Sequence, residues 1–484
     1  MLFNSQQYLL FFVTVFSLYW ALPRQQQQLR VWLLIVASFI FYASYSSWLA
    51  CLVAGTTILD YFLGRAIEAS PQRFKGLFLV TSLGVNLGLL CAFKYYNFFL
   101  DSYYQALAAM GYPARWDAVS ILVPFGISFY TFEAISYTID VYRGRIKAER
   151  SLPNFMLFIL FFPHLVAGPI VRAYDFLPQT HTLKRFSWPR IQLGVQHFLL
   201  GLFLKVAVAD RMAYFVDPIF GNPGQPETWL DAAKYNTSAI WLAVLAFTIQ
   251  IYADFCGYSH MALGSAHLLG YKLTRNFNMP YVALNIQEFW HRWHISLSTW
   301  FRDYVFIPLG GSRGGFWFVA RNILIVFVLS GLWHGANWTF VVWGALHGIL
   351  LVMHRAWRML CKRLTTLDAW MQTYPMRVLS WTLTFLSVAL LWVFFRASSF
   401  ESALTIFERM FTLSPGMTAP LHNRSLWYTV AVLVVGHLLT YTGWWKQLAP
   451  RVPAPAMGFA YAMLLTVTLL LAPDSDKAFI YFNF

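Results

Sequence analysis

The chain has 484 residues, of which 58% are hydrophobic and only 11% carry a charge. In water-soluble domains, about a quarter of the residues are usually charged. This composition therefore excludes an ordinary soluble protein and indicates a polytopic membrane protein. The formal net charge of +15 fits basic loops on the cytoplasmic side of a membrane and gives no support to nucleic-acid binding.

Five apolar runs open the chain and predict five membrane helices. They lie near residues 8–22, 31–45, 48–66, 77–93 and 119–141. The first run has no basic segment before it and no small-residue cleavage site after it, so we expect a retained span rather than a removable signal peptide. Basic residues follow the first, third and fifth runs, and the positive-inside rule therefore predicts an N-terminus outside the cytoplasm.

The next segment, residues 155–171, is apolar but contains Pro163, His164, Gly168 and Pro169. Basic segments flank it on both sides, so it should begin and finish in the cytoplasm. Irregular backbone at membrane depth persists only where protein or a cavity satisfies it. We therefore predict a broken or re-entrant element.

Two further helices are predicted near residues 193–216 and 240–261, with a polar loop between them. The second contains Asp254, and a carboxylate inside a span is costly unless something compensates for its charge. We expect Asp254 to pair with a buried cation or to cap a broken helix.

Residues 275–315 form the most polar stretch of the middle of the chain, in which aromatic and charged residues alternate before a glycine-rich turn. This pattern predicts an interfacial helix or a funnel wall rather than a spanning helix. His291 and His294 lie three residues apart, which on a helix would put both on one face. We predict no metal site, because zinc needs three or four convergent ligands and no second ligand pair is present. His294 is interpreted either as a hydrogen-bonding strut or as a group near the reaction centre.

Residues 322–354 form two apolar runs with His334 at the break between them. Trp333 precedes this histidine, and Gly335 and Asn337 follow it, which predicts a helix interruption with polar groups beneath an aromatic roof. One interpretation is a core histidine bonded to a carbonyl group. The other is a general base, because an imidazole has an ordinary pKa near neutrality and can take a proton from a hydroxyl group. The glycine break and Asn337 favour catalysis.

Three more apolar runs are predicted to span the membrane, near residues 379–395, 427–442 and 458–472. Counting the spans places the final segment outside the cytoplasm. We predict one domain over residues 1–484. It consists of N-terminal spans (1–150), a catalytic core with re-entrant elements (151–354), C-terminal spans (355–473) and an external aromatic tail (474–484).

Several long motifs resemble the membrane-bound O-acyltransferase family, in particular the bacterial branch with the alginate O-acetylation membrane protein and the teichoic-acid D-alanylation protein. They are PFGISFYTFEAISYTIDVYRG, FFPHLVAGPIVR, YADFCGYSHMALG, NFNMPY, EFWHRWHISLSTWFRDYVFIPLGG and SGLWHGANWTFVVWGALHG. The resemblance implies an all-α fold of about 11–12 transmembrane helices with re-entrant and interfacial helices around a central tunnel.

The resemblance also implies site residues. His334 matches the catalytic histidine of the family's W-H-G motif, and His294 matches a second histidine in R-W-H-x-S-L-S. Asp254 and Asn276 fall on polar positions of the family. The expected substrate and tunnel residues are Asp254, Asn276, Trp333, Asn337 and Trp293.

The chain ends in the aromatic sequence FIYFNF, for which two interpretations stand. The tail is either an aromatic anchor at the membrane interface or a segment that folds back and brings the Tyr481 hydroxyl group to His334. It resembles the ending of alginate-type members of the family. On the second interpretation Tyr481 is a covalent acyl relay, because a base beside it would activate its hydroxyl group.

The implied function is transfer of an acetyl group from acetyl-CoA in the cytoplasm for O-acetylation of an exported polysaccharide such as alginate. We expect no tightly bound cofactor, a location in the bacterial inner membrane, and an extracytoplasmic acetyltransferase partner of the SGNH type. Within the same chemistry, the alternatives are a peptidoglycan O-acetylase and a teichoic-acid D-alanyl transferase. A transporter of acyl groups or lipid-linked sugars is the alternative from another class.

Overall fold

The structure is a computed structural model that describes residues 1–112, 118–119, 121–221, 232–419, 423–448, 451–472 and 479–480. All regular secondary structure in these residues is helical. The only strand-type pairing that they contain is one isolated β-bridge, between Tyr235 and Met417. The all-α prediction is therefore confirmed.

The described helices are, in chain order, α1 (Gln6–Ala21), α2 (Gln27–Ala43), α3 (Ser47–Ala69), α4 (Gln72–Leu90), α5 (Tyr96–Ala109), α6 (Ile127–Tyr142), α7 (Leu152–Leu160), α8 (Phe162–Leu165), α9 (Ala173–Thr180), α10 (Trp188–Leu202), α11 (Asp210–Phe220), α12 (Thr237–Leu268), α13 (Ile286–Arg292), α14 (Ile295–Phe301), α15 (Phe316–His334), α16 (Trp338–Arg363), α17 (Thr365–Met371), α18 (Tyr374–Arg396), α19 (Phe400–Phe411), α20 (Asn423–Tyr441), α21 (Trp444–Leu448) and α22 (Ala454–Leu470). Turns of π-helix follow α4, α10 and α14, at Cys91–Tyr95, Phe203–Ala209 and Arg302–Phe306. Short 3₁₀ turns occur at Ala232–Lys234 and Pro280–Val282.

The contacts between residues divide the chain into two compact units. The first comprises Met1–Phe198 and Met261–Thr274, and the second comprises Leu199–His260 and Arg275–Phe484. Helices α1 to α9 belong to the first unit, and α10 and α12 contribute residues to both. The expectation of one domain with four consecutive parts stays a prediction.

Seven helical stretches of the described residues are long and apolar enough to cross a membrane. They are Ser47–Ala69, Gln72–Ala109, Trp188–Phe220, Thr237–Leu268, Phe316–His334, Trp338–Arg363 and Tyr374–Arg396. The shorter helices α2 and α22 are also apolar. The predicted polytopic helical fold is confirmed, and the part of the chain that the structure describes supplies these seven candidates toward the expected total.

In the first unit, α6 begins at Ile127 and not near residue 119, as the apolar run had indicated. Pro124 lacks a main-chain donor, and Gly126 adopts a φ of 72°, in the left-handed region that favours glycine. These two residues delay the start of the helix although the preceding residues are apolar.

The broken element that the sequence predicted between α6 and α9 is observed. Helices α7 and α8 are separated at Phe161, whose φ of −55° and ψ of 106° lie outside the helical region. Apart from the half-buried Met156, residues 155–171 are buried, so protein covers the irregular backbone. His164 lies within this element, and its Nδ1 atom is 3.5 Å from the Glu133 carboxylate.

In the second unit, α15 and α16 form a helix hairpin that closes at two glycines. A Cβ atom at Gly331 would meet the main-chain oxygen of Phe340, and one at Gly344 would meet that of Phe327. In lipid, apolar burial alone does not hold helices together, whereas small residues let two backbones approach and gain van der Waals contact. The two glycines therefore set where the end of α15, at His334, lies against α16.

Candidate active site

His334 is the last residue of α15, so the predicted interruption is confirmed. Gly335 is extended, with φ −158° and ψ 151°, and the next helix begins after Asn337. The Asn337 side chain accepts a hydrogen bond from the Thr339 N–H (3.0 Å) and donates one to the Ser398 carbonyl oxygen (2.9 Å). Asn337 therefore caps α16 and holds the turn that follows His334.

His294 lies between two short helices and not within one. Helix α13 ends at Arg292, Trp293 is extended, and His294 has a φ of 42° in the left-handed region. His291 and His294 therefore do not lie on one helix, and their spacing of three residues does not put them on one face. His291 is exposed, whereas His294 is buried. A non-glycine residue in this region is uncommon, and such strain persists where the surroundings impose it.

Asn276 holds the segment that carries His294. Its main-chain oxygen accepts from the Ile295 N–H (2.9 Å), and its side-chain oxygen accepts from the Ser296 hydroxyl group (2.6 Å). Its amide group also donates to Ser259 in α12 (3.3 Å). Asn276 is thus a positioning residue, which joins the strained histidine turn to a long helix.

The two predicted histidines come together in the interior of the second unit. Their ring centroids are 6.2 Å apart, and His294 and His334 are 0% and 2% exposed. Trp333 lies 5.8 Å from the first ring and 5.0 Å from the second, which is the predicted aromatic roof. Trp343 and Phe395 pack edge-on against His334, at 5.1 and 5.3 Å. This spacing allows both imidazoles to face one reacting group in a dry site.

Asp254 pairs with a buried cation, as predicted, and α12 continues unbroken through it. The Lys205 ammonium lies 2.7 Å from the Asp254 carboxylate and 2.7 Å from that of Asp210. The Asp254 carboxylate also accepts a hydrogen bond of 2.8 Å from the main-chain N–H of Ile480. Sequence reasoning missed Lys205, although a lone lysine in the run LFLKVAVA is as unusual as an aspartate in a span.

The C-terminal segment folds into the second unit at the two tail residues that the structure describes. Phe479 is 1% exposed, and its ring stacks on Tyr258 at 4.5 Å and lies 5.7 Å from Phe255. Phe255 in turn lies 4.6 Å from the His294 ring. This burial supports the fold-back interpretation over a membrane-interface anchor. Tyr481, the predicted relay, lies outside the described residues.

Trp293 has a packing role. Its side chain is fully buried and lies 5.0 Å from Trp392 and 5.6 Å from Phe289, ring to ring. Close aromatic pairs of this kind stabilise a core beyond the area that they bury. Trp293 therefore anchors the turn before His294, and its expected place along the substrate path stays a prediction.

A cavity of about 760 Å³ lies in the second unit between the segment 287–312 and helices α15 and α16. Four of its lining side chains are cationic, and they are exposed or half-buried: Arg302, Arg355, Arg358 and Lys362. Its buried lining is mostly apolar and extends to Ser330, which precedes His334 by one helical turn. Neither histidine of the pair is among the described residues that line it.

No group of three or more His, Cys, Asp or Glu side chains in the described part of the chain is arranged to hold a metal ion. Aromatic rings pack against both histidines of the pair, namely Phe255 and Trp333 against His294, and Trp333, Trp343 and Phe395 against His334. The chemistry that this arrangement supports is proton transfer between buried groups.

Several known proteins are similar to this chain in sequence. A "Probable alginate O-acetylase AlgI" of Pseudomonas putida is 37% identical over 100% of both chains. The "Peptidoglycan O-acetyltransferase" of Helicobacter pylori is 36% identical over 80% of this chain and 74% of its own. The "Teichoic acid D-alanyltransferase" of Streptococcus thermophilus is 32% identical over 49% of this chain and 58% of its own. The sequence profile of MBOAT, the membrane-bound O-acyltransferase family, matches residues 78–395, which include both histidines, so this chain belongs to that family and is a multi-pass membrane O-acyltransferase.

Proposed function

We propose that this protein transfers an acetyl group from acetyl-CoA across the bacterial inner membrane for O-acetylation of an exported polysaccharide such as alginate. The names of the relatives from Pseudomonas putida and Helicobacter pylori support an acetyl group and a polymeric acceptor. The structural observation that carries the proposal is the buried pair of His294 and His334, 6.2 Å apart, near a cavity with a cationic rim.

The cationic rim of the cavity suits the phosphate groups of coenzyme A, because Arg and Lys bind phosphate through charge-assisted hydrogen bonds. Arg302 and Arg358 already have carboxylate partners, at 2.8 and 3.0 Å. Within the described residues, Arg355 and Lys362 take part in no ion pair. These two cations are therefore the proposed phosphate contacts. Basic groups also favour the cytoplasmic side, where the donor is made.

The apolar inner part of the cavity suits the acyl arm of the donor. Val326, Phe327 and Leu297 line it together with the buried Ser330. We propose that the thioester reaches past Ser330 to His334 when the donor binds. An apolar chamber also excludes water, which would otherwise hydrolyse the thioester.

In the proposed reaction, His334 is the general base. It accepts the proton of an acceptor hydroxyl group while that oxygen attacks the thioester carbonyl carbon. The carbon–sulfur bond then breaks, coenzyme A leaves as the thiolate, and the proton passes from His334 to the sulfur. His294 faces the same space and helps to orient the reacting group. Positioned proton transfer of this kind contributes about 10²- to 10⁴-fold to rate.

We further propose that the first acceptor is the phenol of Tyr481. The burial of Phe479 and Ile480 supports this step, because both directly precede Tyr481 in the sequence and the Phe255 ring lies between Phe479 and His294. The aryl ester formed there would be activated enough to pass its acetyl group onward. An extracytoplasmic partner of the SGNH type would complete the transfer to the polymer. In this topology both chain termini lie outside the cytoplasm.

Purified protein with radiolabelled acetyl-CoA tests the proposal. We expect label on the protein, recovered as an O-acetyl ester in the C-terminal peptide and absent from Tyr481→Phe. Protein that gains no label and passes none to a partner or polymer would refute acetyl-CoA as the donor. Label that persists in Tyr481→Phe would refute the relay alone. Peptidoglycan is the second candidate acceptor, because of the relative from Helicobacter pylori, and both polymers belong in the assay.

A further inference from the structure

The Asp254 carboxylate of α12 accepts a hydrogen bond in addition to its buried ion pair with Lys205. Lys205 lies 2.7 Å from Oδ1 of Asp254, and the other oxygen, Oδ2, accepts the Ile480 N–H at 2.8 Å. All three residues are buried. A carboxylate in such surroundings is costly unless several donors compensate for its charge, and here a main-chain group from the end of the chain is one of the donors.

Phe255 and Tyr258, which lie near Asp254 in α12, contact the ring of Phe479, the residue before Ile480. Asp254 and Tyr258 are four residues apart and therefore lie on one face of the helix. The Phe479 ring stacks on Tyr258 with a ring separation of 4.5 Å and an interplanar angle of 28°. Phe255 contacts the same ring at 5.7 Å. A carboxylate acceptor and an aromatic platform thus hold consecutive residues of the tail.

We infer that Asp254, Phe255 and Tyr258 form a binding site for the C-terminal segment, here called the tail site, which recognises an aromatic residue followed by a main-chain N–H group. Lys205 stabilises and orients the acceptor carboxylate. Chain ends usually fray unless something ties them down, and this site provides both the hydrogen bond and the buried aromatic contact. Asp254 is thus a positioning residue and not a catalytic one.

The tail site is relevant to the proposed relay because it anchors Ile480, the residue directly before Tyr481 in the sequence. Phe255 of the site also lies 4.6 Å from the His294 ring. The importance of the tail site for catalysis rests on the proposed function, whereas tail binding is measurable without any acyl transfer.

Hydrogen exchange at the Ile480 amide of the purified full-length protein, resolved by mass spectrometry, tests the tail site. Asp254→Ala removes the acceptor, and we expect exchange to become about tenfold faster or more, the loss typical of a hydrogen bond to a charged group. Asp210→Ala is the matched control, because it removes the other carboxylate of the same ammonium and keeps the Asp254 acceptor. Protection that survives in Asp254→Ala would overturn the inference, as would equal loss in two variants that both keep the wild-type Tm.

If the buried charges are needed for folding, a second pair of variants tests the tail site without changing them. Tyr258→Ala removes the aromatic platform and leaves every charge in place, whereas Tyr258→Phe keeps the ring. We expect faster Ile480 exchange in the alanine variant only, and equal rates in the two variants would overturn the inference. Acetyl transfer in the same proteins tests the relay separately, since a released tail with normal transfer would refute the relay and leave the tail site standing.

Discussion

The general-base role of His334 is best tested against a second histidine of the same hairpin. His347 in α16 is fully buried and lies 4.8 Å from Trp343, which also lies 5.1 Å from His334. Within the described residues, the ring of His347 does not contact His294. His334→Gln and His347→Gln therefore make the same chemical change against the same tryptophan, and only the first affects the histidine pair.

The two roles of a buried histidine predict different magnitudes. If His334 moves the proton, its loss should lower kcat by about 10²- to 10⁴-fold. This corresponds to roughly 2.7–5.4 kcal/mol in the activation barrier. If both histidines only fill space, the two variants should behave alike, because each replaces a buried imidazole by the same amide. Activity and stability are therefore expected to separate at His334 and not at His347.

The assay is transfer of labelled acetyl from acetyl-CoA by purified protein at saturating donor, with thermal unfolding of the same samples. We expect His334→Gln to lose at least about a hundredfold in turnover with little change in Tm. His347→Gln should keep most of its turnover. Comparable turnover in the two variants, or a loss at His334 that follows unfolding, would refute the general-base assignment.

Three further predictions concern positioning, packing and donor binding. Asn276→Ala should lower kcat by about tenfold with normal protein levels, because it removes side-chain hydrogen bonds worth about 1 kcal/mol or more. Asn276→Asp keeps the acceptor oxygen and should lose less activity. Equal losses of kcat in the two variants would contradict a positioning role. Gly331→Ala should lower stability by about 1–3 kcal/mol in thermal unfolding, because the added methyl group would meet the Phe340 carbonyl oxygen. Gly436→Ala is the control, because its methyl group would enter open space, and it should leave stability unchanged. Unchanged stability in Gly331→Ala would show that α15 and α16 can separate freely. Arg355→Gln should raise the KM for acetyl-CoA with kcat nearly unchanged, and the rise in KM should become smaller at high salt. The exposed Arg377→Gln is the control and should leave KM unchanged. An unchanged KM in Arg355→Gln, or a similar rise in Arg377→Gln, would argue against a phosphate contact.

The sequence predicted the features that depend on local composition. The break at His334 followed from glycine and asparagine after an apolar run, and the broken element around His164 followed from proline and glycine. Asp254 was expected to need a partner, because burial of a carboxylate in a span is costly wherever the partner comes from. Local patterns therefore identified where the chain is irregular and where charge is buried.

The features that the sequence did not predict come from contacts between distant residues. The turn at His294 contains no glycine or proline, and Asn276, which lies in a separate loop, holds it in place. Lys205 meets Asp254 through tertiary packing, and Ile480 reaches it from the end of the chain. Periodicity in one segment carries no information on such contacts. The site residues were thus identifiable by type, but their positioning partners were not.

The π-helical turn Phe203–Ala209 also determines which charged side chains can meet. In a regular α-helix, residues five positions apart point roughly 140° away from each other. Lys205 and Asp210 are five apart, yet their charged groups lie 2.7 Å from each other, because the wider turn accommodates one more residue than an α-helical turn. A single inserted residue can therefore create a buried ion pair while the helices on both sides keep their own registers.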